Sequence, residues 1–460
     1  MLNSFFNPEF SPTSNQNAAL LEIEKFLKSD ENVMILKGYA GTGKTTIVAA
    51  LVKFLESVNR EYFLLAPTGK AAKVMGMYSK RFAATIHKKI YRQQTLPGSF
   101  NFVLSSNMSR GGIFIVDESS MIGFGNEFNT NGLLHDLFEY LYNGENCKLI
   151  FVGDTAQLPP VGEDESPALN PNVIKREFVE TCRVSELTQV VRQAQDSGVL
   201  MNATLIRELI KNQTVDYPKF DLNFPDIELI TGADLQEKIE QAYYNFGEEN
   251  TVILTRSNKY ANLYNQQVRN RIFDYDTEIT GGEKLMVVKN NYFFTKEYEK
   301  LGFIANGDTL EIKKVLSDDE LYGFRFMDVV ARLKDYDADP EIELKIILES
   351  LHSLGPSLTK EQNQQLIQTI ALDYPEEASR RKKWQLIKEN PYFNAVQVKY
   401  AYAITGHKAQ GGQWDCVFID QSYFIDDMLS TDYLRWLYTC FTRAKKQLYL
   451  VNFKPEFFKS

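Results

Sequence analysis

Cysteine is scarce in this chain of 460 residues: Cys147, Cys182, Cys416 and Cys440 lie far apart, and no two form a C-x-x-C pair. That spacing offers neither a disulfide framework nor a zinc ligand set, and it reads as free thiols in a reducing compartment. Long apolar runs are also missing. With no stretch of about 18 apolar residues, neither a membrane span nor a membrane partner is expected. The opening MLNSFFNPEFSPTSNQ lacks a basic segment leading into an apolar core, so no secretory signal is expected either, and a cytoplasmic location follows. Positive charge is in deficit, 51 Lys and Arg against 60 Asp and Glu, a net −9. Taken over the whole surface, this argues against a polyanion partner. What the chain has is 44% hydrophobic and 13% aromatic residues, enough for well-packed cores in two to four domains.

The charge is unevenly spread. Between Arg60 and Thr95 stand Arg60, Lys70, Lys73, Lys80, Arg81, Lys88, Lys89 and Arg92 against the single acid Glu61. A basic strip on an acidic protein suits either a confined nucleic-acid groove or a solvated face.

The most specific stretch is Gly38-Tyr39-Ala40-Gly41-Thr42-Gly43-Lys44-Thr45, a full match to the phosphate-binding pattern G-x-x-x-x-G-K-S/T. Glycines let the backbone curl so that N–H groups point at phosphate oxygens. Lys44 supplies a charge for the terminal phosphates, and the Thr45 hydroxyl can ligate Mg²⁺. Val33–Leu36 before it reads as a buried strand and Thr45–Glu56 after it as a helix. Gly38, Gly41, Thr42, Gly43, Lys44, Thr45 and Thr46 are therefore candidate ATP-binding residues. A helix over 13–28 precedes them. Gln16, near its start, carries an amide able to donate and accept, which suits an adenine edge.

Further apolar strands end in polar residues. Tyr62–Ala66 leads into Pro67-Thr68-Gly69-Lys70, and Thr85-Ile86-His87 follows on the basic strip. Residues 91–106 read as a hairpin around Leu96-Pro97-Gly98-Ser99, with Phe100 or Phe102 a candidate wedge between strands. Ile113–Val116 ends in Asp117-Glu118, one carboxylate for the metal shell and one for the attacking water. Leu149–Val152 leads into Gly153-Asp154-Thr155-Ala156-Gln157, whose amide can sense the γ-phosphate. Four parallel-type strands with polar ends along one edge indicate a doubly wound α/β layer.

GYAGTGKTT, LAPTGKAA, TIH, VDESSM and GDTAQLPPV, in that order, resemble the first motor domain of RecD/Dda-like superfamily 1 DNA helicases. The resemblance continues through Glu186–Gln193, Thr251–Arg271, Thr405-Gly406-His407-Lys408-Ala409-Gln410-Gly411 and Leu437–Ala444. It covers about 13–280 and 395–453. Gly406 stands where the resemblance leads one to expect a bulkier residue.

The resemblance implies two RecA-like domains. The first covers 1–185, with a hairpin insertion at about 88–110. The second covers 186–280 and 395–460, interrupted at 281–394 by a turn-rich, β-like segment for which it implies an SH3-like barrel. It assigns γ-phosphate contact to Arg192 and Arg443, beside Lys44, Glu118 and Gln157 as catalytic residues. It places Pro67, Thr68, Thr85, His87, Asn258, Thr405, His407 and Lys408 along a single-strand groove. The basic run Ser379–Trp384 reads mainly as a solvated helix, with a DNA contact as the alternative. The expected protein is a monomeric, ATP- and Mg²⁺-dependent helicase moving 5′→3′ on single-stranded DNA and opening duplex junctions. RNA as the strand, remodelling without strand separation, and a phosphate-loop kinase are the competing expectations.

Overall fold

Short apolar runs bounded by polar turns build the first layer. The computed structural model describes residues 2–6, 11–96, 99–125, 132–190, 197–295, 298, 303–334, 339–377 and 379–459, without the side chains of 93–96 and 99–102. Strands β1 (Val33–Gly38), β2 (Tyr62–Ala66) and β3 (Ala83–Thr85) are followed by an antiparallel pair, β4 (Tyr91–Leu96) and β5 (Ser99–Leu104). Then come β6 (Ile113–Val116), β7 (Lys148–Gly153) and β8 (Cys182–Leu187). Apart from the hairpin they form one parallel sheet in the order β3-β2-β6-β7-β1-β8.

Alternation along the strands feeds two cores. Met34 and Leu36 of β1 pack toward α1 (Ser14–Lys28), α2 (Lys44–Ser57) and α3 (Gly69–Ser79). Val33 and Ile35 pack toward α4 (Ile86–Ile90), α5 (Leu133–Tyr142) and α6 (Pro171–Phe178). The expected strands are all present, and β3 and β8 extend the sheet to six. The boundary expected at 185/186 falls inside β8, which pairs with β1 from Cys182↔Val33 to Leu187↔Gly38. Backbone pairing thus keeps Glu186 and Leu187 in the first layer. The hairpin is where the Leu96–Ser99 turn put it, but Pro97, Gly98 and the side chains of Phe100 and Phe102 lie outside the described residues.

The second layer begins with α7 (Gly198–Lys211), β9 (Ile227–Ile230), α8 (Leu235–Phe246), β10 (Thr251–Thr255) and α9 (Asn258–Arg271). A barrel then intervenes, formed by β11 (Lys284–Val287), β12 (Thr309–Leu321), β13 (Phe324–Leu333) and β14 (Glu341–Ile347). Helices α10 (Glu349–His352), α11 (Lys360–Ile370) and α12 (Arg380–Glu389) lead to its last strand, β15 (Val396–Tyr400). The barrel is closed because β15 pairs with both β14 and β11. The insertion therefore runs past its expected end at 394. The layer resumes with β16 (Ala403–Thr405), β17 (Trp414–Asp420), α13 (Thr431–Phe441) and β18 (Ala444–Val451). Its sheet order is β16-β10-β17-β18-β9, all parallel.

One hydrophobic cluster joins the layers. Tyr39, Ala156 and Leu158 of the first pack with Val199, Trp414, Leu437 and Tyr438 of the second. All four cysteines are free thiols, and no described helix is long and apolar enough to cross a membrane.

Candidate nucleotide cleft and strand-facing edge

The phosphate loop lies between the end of β1 and the start of α2. Gly41 (φ +74°) and Gly43 (φ +86°) occupy left-handed backbone that side chains rarely adopt. A Cβ on Gly43 would also lie 2.3 Å from Gln16 Nε2. Gly43 caps α2 without a side-chain bond, which leaves first-turn N–H groups for an anion. Lys44 Nζ donates to the carbonyls of Gly38 (2.6 Å) and Tyr39 (3.1 Å) and lies 4.0 Å from Asp154 Oδ2. Thr42 is fully buried and braces the loop by donating to the Tyr39 carbonyl at 2.7 Å. Thr45 is exposed and Thr46 half-buried.

Gln16 sits in the first turn of α1. Its Nε2 donates to the Thr42 carbonyl (3.0 Å), and its Oε1 accepts from the Thr13 N–H (2.9 Å). The amide is thus first a brace between helix and phosphate loop, with one N–H and one lone pair left for a base edge.

Asp117 and Glu118 follow β6. Asp117 Oδ2 accepts from the Tyr78 hydroxyl at 2.6 Å, and its Oδ1 from the Glu118 N–H at 2.8 Å. Glu118 has φ +51°, rare for a residue with a side chain and concentrated at functional sites. Burial pushes its carboxyl above the ordinary value; the Arg443 guanidinium, with Nη1 4.0 Å from Glu118 Oε1, opposes that rise.

Arg443 comes from the second layer, just past α13. It is buried and held by donating to the carbonyls of Thr439 (3.0 Å) and Gly412 (3.2 Å) and to the Thr442 hydroxyl (3.0 Å). The same helix reaches the phosphate loop directly. The buried Tyr438 hydroxyl donates to Asp154 Oδ2 (2.7 Å) and accepts from the Ala40 N–H (2.9 Å). Leu158 N–H donates to Thr439 Oγ1 (2.9 Å), and Gln410 Nε2 to the Leu158 carbonyl (2.7 Å). Gln157, adjacent to Leu158 in this network, is buried with an Oε1 that has no partner among the described residues. A buried acceptor without a donor costs about 1–3 kcal/mol, so this oxygen is available to an incoming O–H or N–H. Arg192 lies outside the described residues.

Sequence reasoning assigned no role to Asp154 or Tyr438, although both lie in quoted motifs. The Gly-Asp at the end of β7 was the available signal for the first. Nothing local signals the second, whose partners are 284 and 398 positions away.

The expected strand contacts gather at carboxyl ends of parallel strands, where open α/β sheets bind ligands. Pro67 and Thr68 follow β2, and Thr85 ends β3 beside it, with Ala66↔Thr85 in register. Thr405 ends β16 beside Thr255, and Asn258 starts α9. Thr68 and Thr85 accept from the N–H groups of Ala71 and Lys88, capping α3 and α4. His87 is half-buried, His407 exposed and Thr405 buried. Burial lowers Lys408 to about 8. The two layers meet here, since a Cβ on Gly411 would lie 2.7 Å from Ala71 Cβ. The basic strip is not one free cationic face. Arg60 donates to the Gly111 and Leu27 carbonyls, Lys73 to that of Lys334, and Arg81 pairs with Glu56. Lys70 and Lys89 each lie 3.4 Å over a ring, of Trp414 and Phe63.

Two family models match: an AAA domain over residues 13–216 and a UvrD-like helicase C-terminal domain over 400–451. The RecD subunit of the RecBCD enzyme of Buchnera aphidicola is 22% identical over 97% of this chain and 75% of its own length. The ATP-dependent RecD2 DNA helicase of Deinococcus radiodurans is 30% identical over 44% of this chain and 25% of its own. This chain spans about a third or less of the length of two of the curated relatives it matches. A structure described as two coordinating Pif1 helicases unwinding forked duplex DNA aligns over 98% of this chain and 94% of its own, with TM-score 0.50 and 15% identity.

Proposed function

Since this chain belongs to the RecD/Pif1-like superfamily 1 helicases, we propose that it is an ATP-hydrolysing motor that moves 5′→3′ along single-stranded DNA and separates duplex at a fork. The observation that carries the reading is the cleft between unlike layers. One supplies the glycine loop, Lys44, Asp117 and Glu118; the other brings Arg443 to within 4.0 Å of Glu118 and the Tyr438 hydroxyl onto Ala40 and Asp154. The fit to a nucleotide is local: α2 starts at left-handed Gly43 with no side-chain cap, Thr45 is exposed, and Gln157 holds an oxygen unpartnered among the described residues.

In this reading the loop from Gly38 to Thr46 cradles phosphates, with Gln16 beside the base. Thr45 and Asp117 would hold Mg²⁺, which would offset phosphate charge. Glu118 takes a proton from water that Gln157 orients, and Arg443 and Arg192 face the γ-phosphate. Pro67, Thr68, Thr85, His87, Asn258, Thr405, His407 and Lys408 contact phosphate and sugar, so binding is salt-dependent and nearly sequence-blind. The chain acts as a monomer, and its free thiols suit the cytoplasm.

The test is ATP hydrolysis with and without matched DNA and RNA oligonucleotides, followed by unwinding of duplexes with only a 5′ or only a 3′ tail. Stimulation by DNA and opening of the 5′-tailed duplex alone are expected. Hydrolysis indifferent to any nucleic acid overturns the reading. Equal stimulation by RNA changes the strand, and stimulation without opening of either duplex leaves a remodelling ATPase.

A further inference from the structure

Helix α13 addresses two places. Tyr438 and Thr439 point to the first layer, as described. Trp436 and Cys440, one turn apart and so on a shared face, point at Gly406. A Cβ on Gly406 would lie 2.6 Å from Trp436 Nε1, 2.7 Å from Trp436 Cδ1 and 3.1 Å from Cys440 Sγ. Gly406 is absent from the residues with positive φ, so its backbone does not demand glycine. The indole does.

The indole is itself costly. Trp436 is 3% exposed, and its N–H has no acceptor among the described residues. A buried donor left unpaired costs about 1–3 kcal/mol, and a smaller apolar side chain would avoid that cost. The pair therefore has a tight steric fit but an electrostatic fault, which is unexpected of a site kept only for stability. Gly406 also sits at a junction. Its N–H donates to the Thr255 carbonyl (3.1 Å), and the Ala409 N–H reaches the carbonyls of Thr405 and Gly406 (3.0 and 3.2 Å). A push on Gly406 thus displaces the whole turn carrying Thr405, His407 and Lys408.

We propose that Trp436 and Gly406 form an interlocked contact that carries nucleotide state from α13 to the strand-facing turn 405–408, with Trp436 as a positioning residue. This rests on the motor reading. A helix moves as a rod. When the contacts of Tyr438 and Thr439 to Ala40, Asp154 and Leu158 rearrange, Trp436 moves with them. Close packing leaves no slack between the ring and Gly406.

The test compares DNA-stimulated with unstimulated ATP hydrolysis in the full chain bearing Trp436→Leu, Gly406→Val, or both. Trp436→Leu opens space against the turn, and Gly406→Val forces the ring aside. Each single variant is expected to lose about tenfold in stimulation at saturating DNA, the size of a typical coupling between sites. Unstimulated hydrolysis by Trp436→Leu is expected to stay within about twofold of wild type. The side chain added by Gly406→Val fills the space that the indole leaves in Trp436→Leu, so the double variant is expected to regain most of the stimulation. If Gly406→Val does not fold, Gly406→Ala takes its place in both arms. The inference fails if Trp436→Leu is stimulated like wild type, if stimulated and unstimulated rates fall together, or if the double variant is no better than the worse single one. A wild-type chain that no nucleic acid stimulates overturns the motor reading itself, and this coupling with it.

Discussion

Helices α2 and α9 each follow a buried strand of a parallel sheet, yet they begin differently. Gly43 starts α2 with φ +86° and makes no side-chain cap. Ser257 starts α9 with φ −132°, and its hydroxyl accepts from the Tyr260 N–H. The first helix leaves its terminal donors open; the second satisfies one of its own. Strand followed by helix is therefore not enough for a phosphate site. The open cap, the positive-φ glycines and Lys44 make the difference. The second layer turns a cation, Arg443, toward its neighbour instead.

Removing Lys44 should break this asymmetry most completely. Lys44→Ala is expected to lower DNA-stimulated hydrolysis by about 10³-fold or more, because a preorganised charge on the transferring phosphates is lost from a water-poor cleft. Steady-state phosphate release measures it. A variant retaining a tenth of the wild-type rate would show that the cradle works without its cation.

Arg443→Gln tests the other side. The expected loss in kcat is about 10³-fold, the lower range for an arginine supplied across a cleft. A pH profile sharpens the result. Glu118 acts as a base only when ionised, so the rate rises with pH through an inflection that burial sets above the ordinary carboxylate value. Arg443 is the leading group holding that inflection down. Without the guanidinium the neutral acid gains, the inflection moves to higher pH, and the variant's deficit is deepest on the acid side. Profiles of equal shape for both proteins would place Arg443 out of electrostatic reach of Glu118.

The first layer was more legible in the sequence than the second for the same reason that it binds phosphate. Its chemistry is local: one loop, one Asp-Glu pair and one Gly-Asp turn, each at the end of an apolar run that alternates between two cores. The edges of the layers were hidden. β8 reads Cys-Arg-Val-Ser-Glu-Leu, too polar to announce a strand, and is fixed by pairing with β1 about 150 positions earlier in the chain. β15 likewise looks like part of the resumed layer until its pairing with β11 and β14 closes the barrel. The cross-cleft role of Tyr438 was beyond reach, because a tyrosine on an apolar helix looks like core until its hydroxyl is seen on Asp154. Of the basic strip, the sequence showed the charges but not the carbonyls, carboxylates and rings that engage most of them.

The smallest effect belongs to the closed cap. Ser257→Ala removes the acceptor for the Tyr260 N–H and is expected to cost about 1 kcal/mol of stability, seen as a lowered urea midpoint with an unchanged slope. Because α9 starts with a satisfied donor rather than an open anion seat, nucleotide affinity per folded molecule is expected to stay that of wild type. Gly43→Ala is the matched opposite. Its Cβ meets Gln16 Nε2 at 2.3 Å and strains φ +86°, so it should weaken nucleotide binding before it unfolds the chain. If instead Ser257→Ala weakened nucleotide binding and Gly43→Ala did not, the second layer would hold an anion seat of its own, and the asymmetry between the two helix starts would not divide the labour of the cleft.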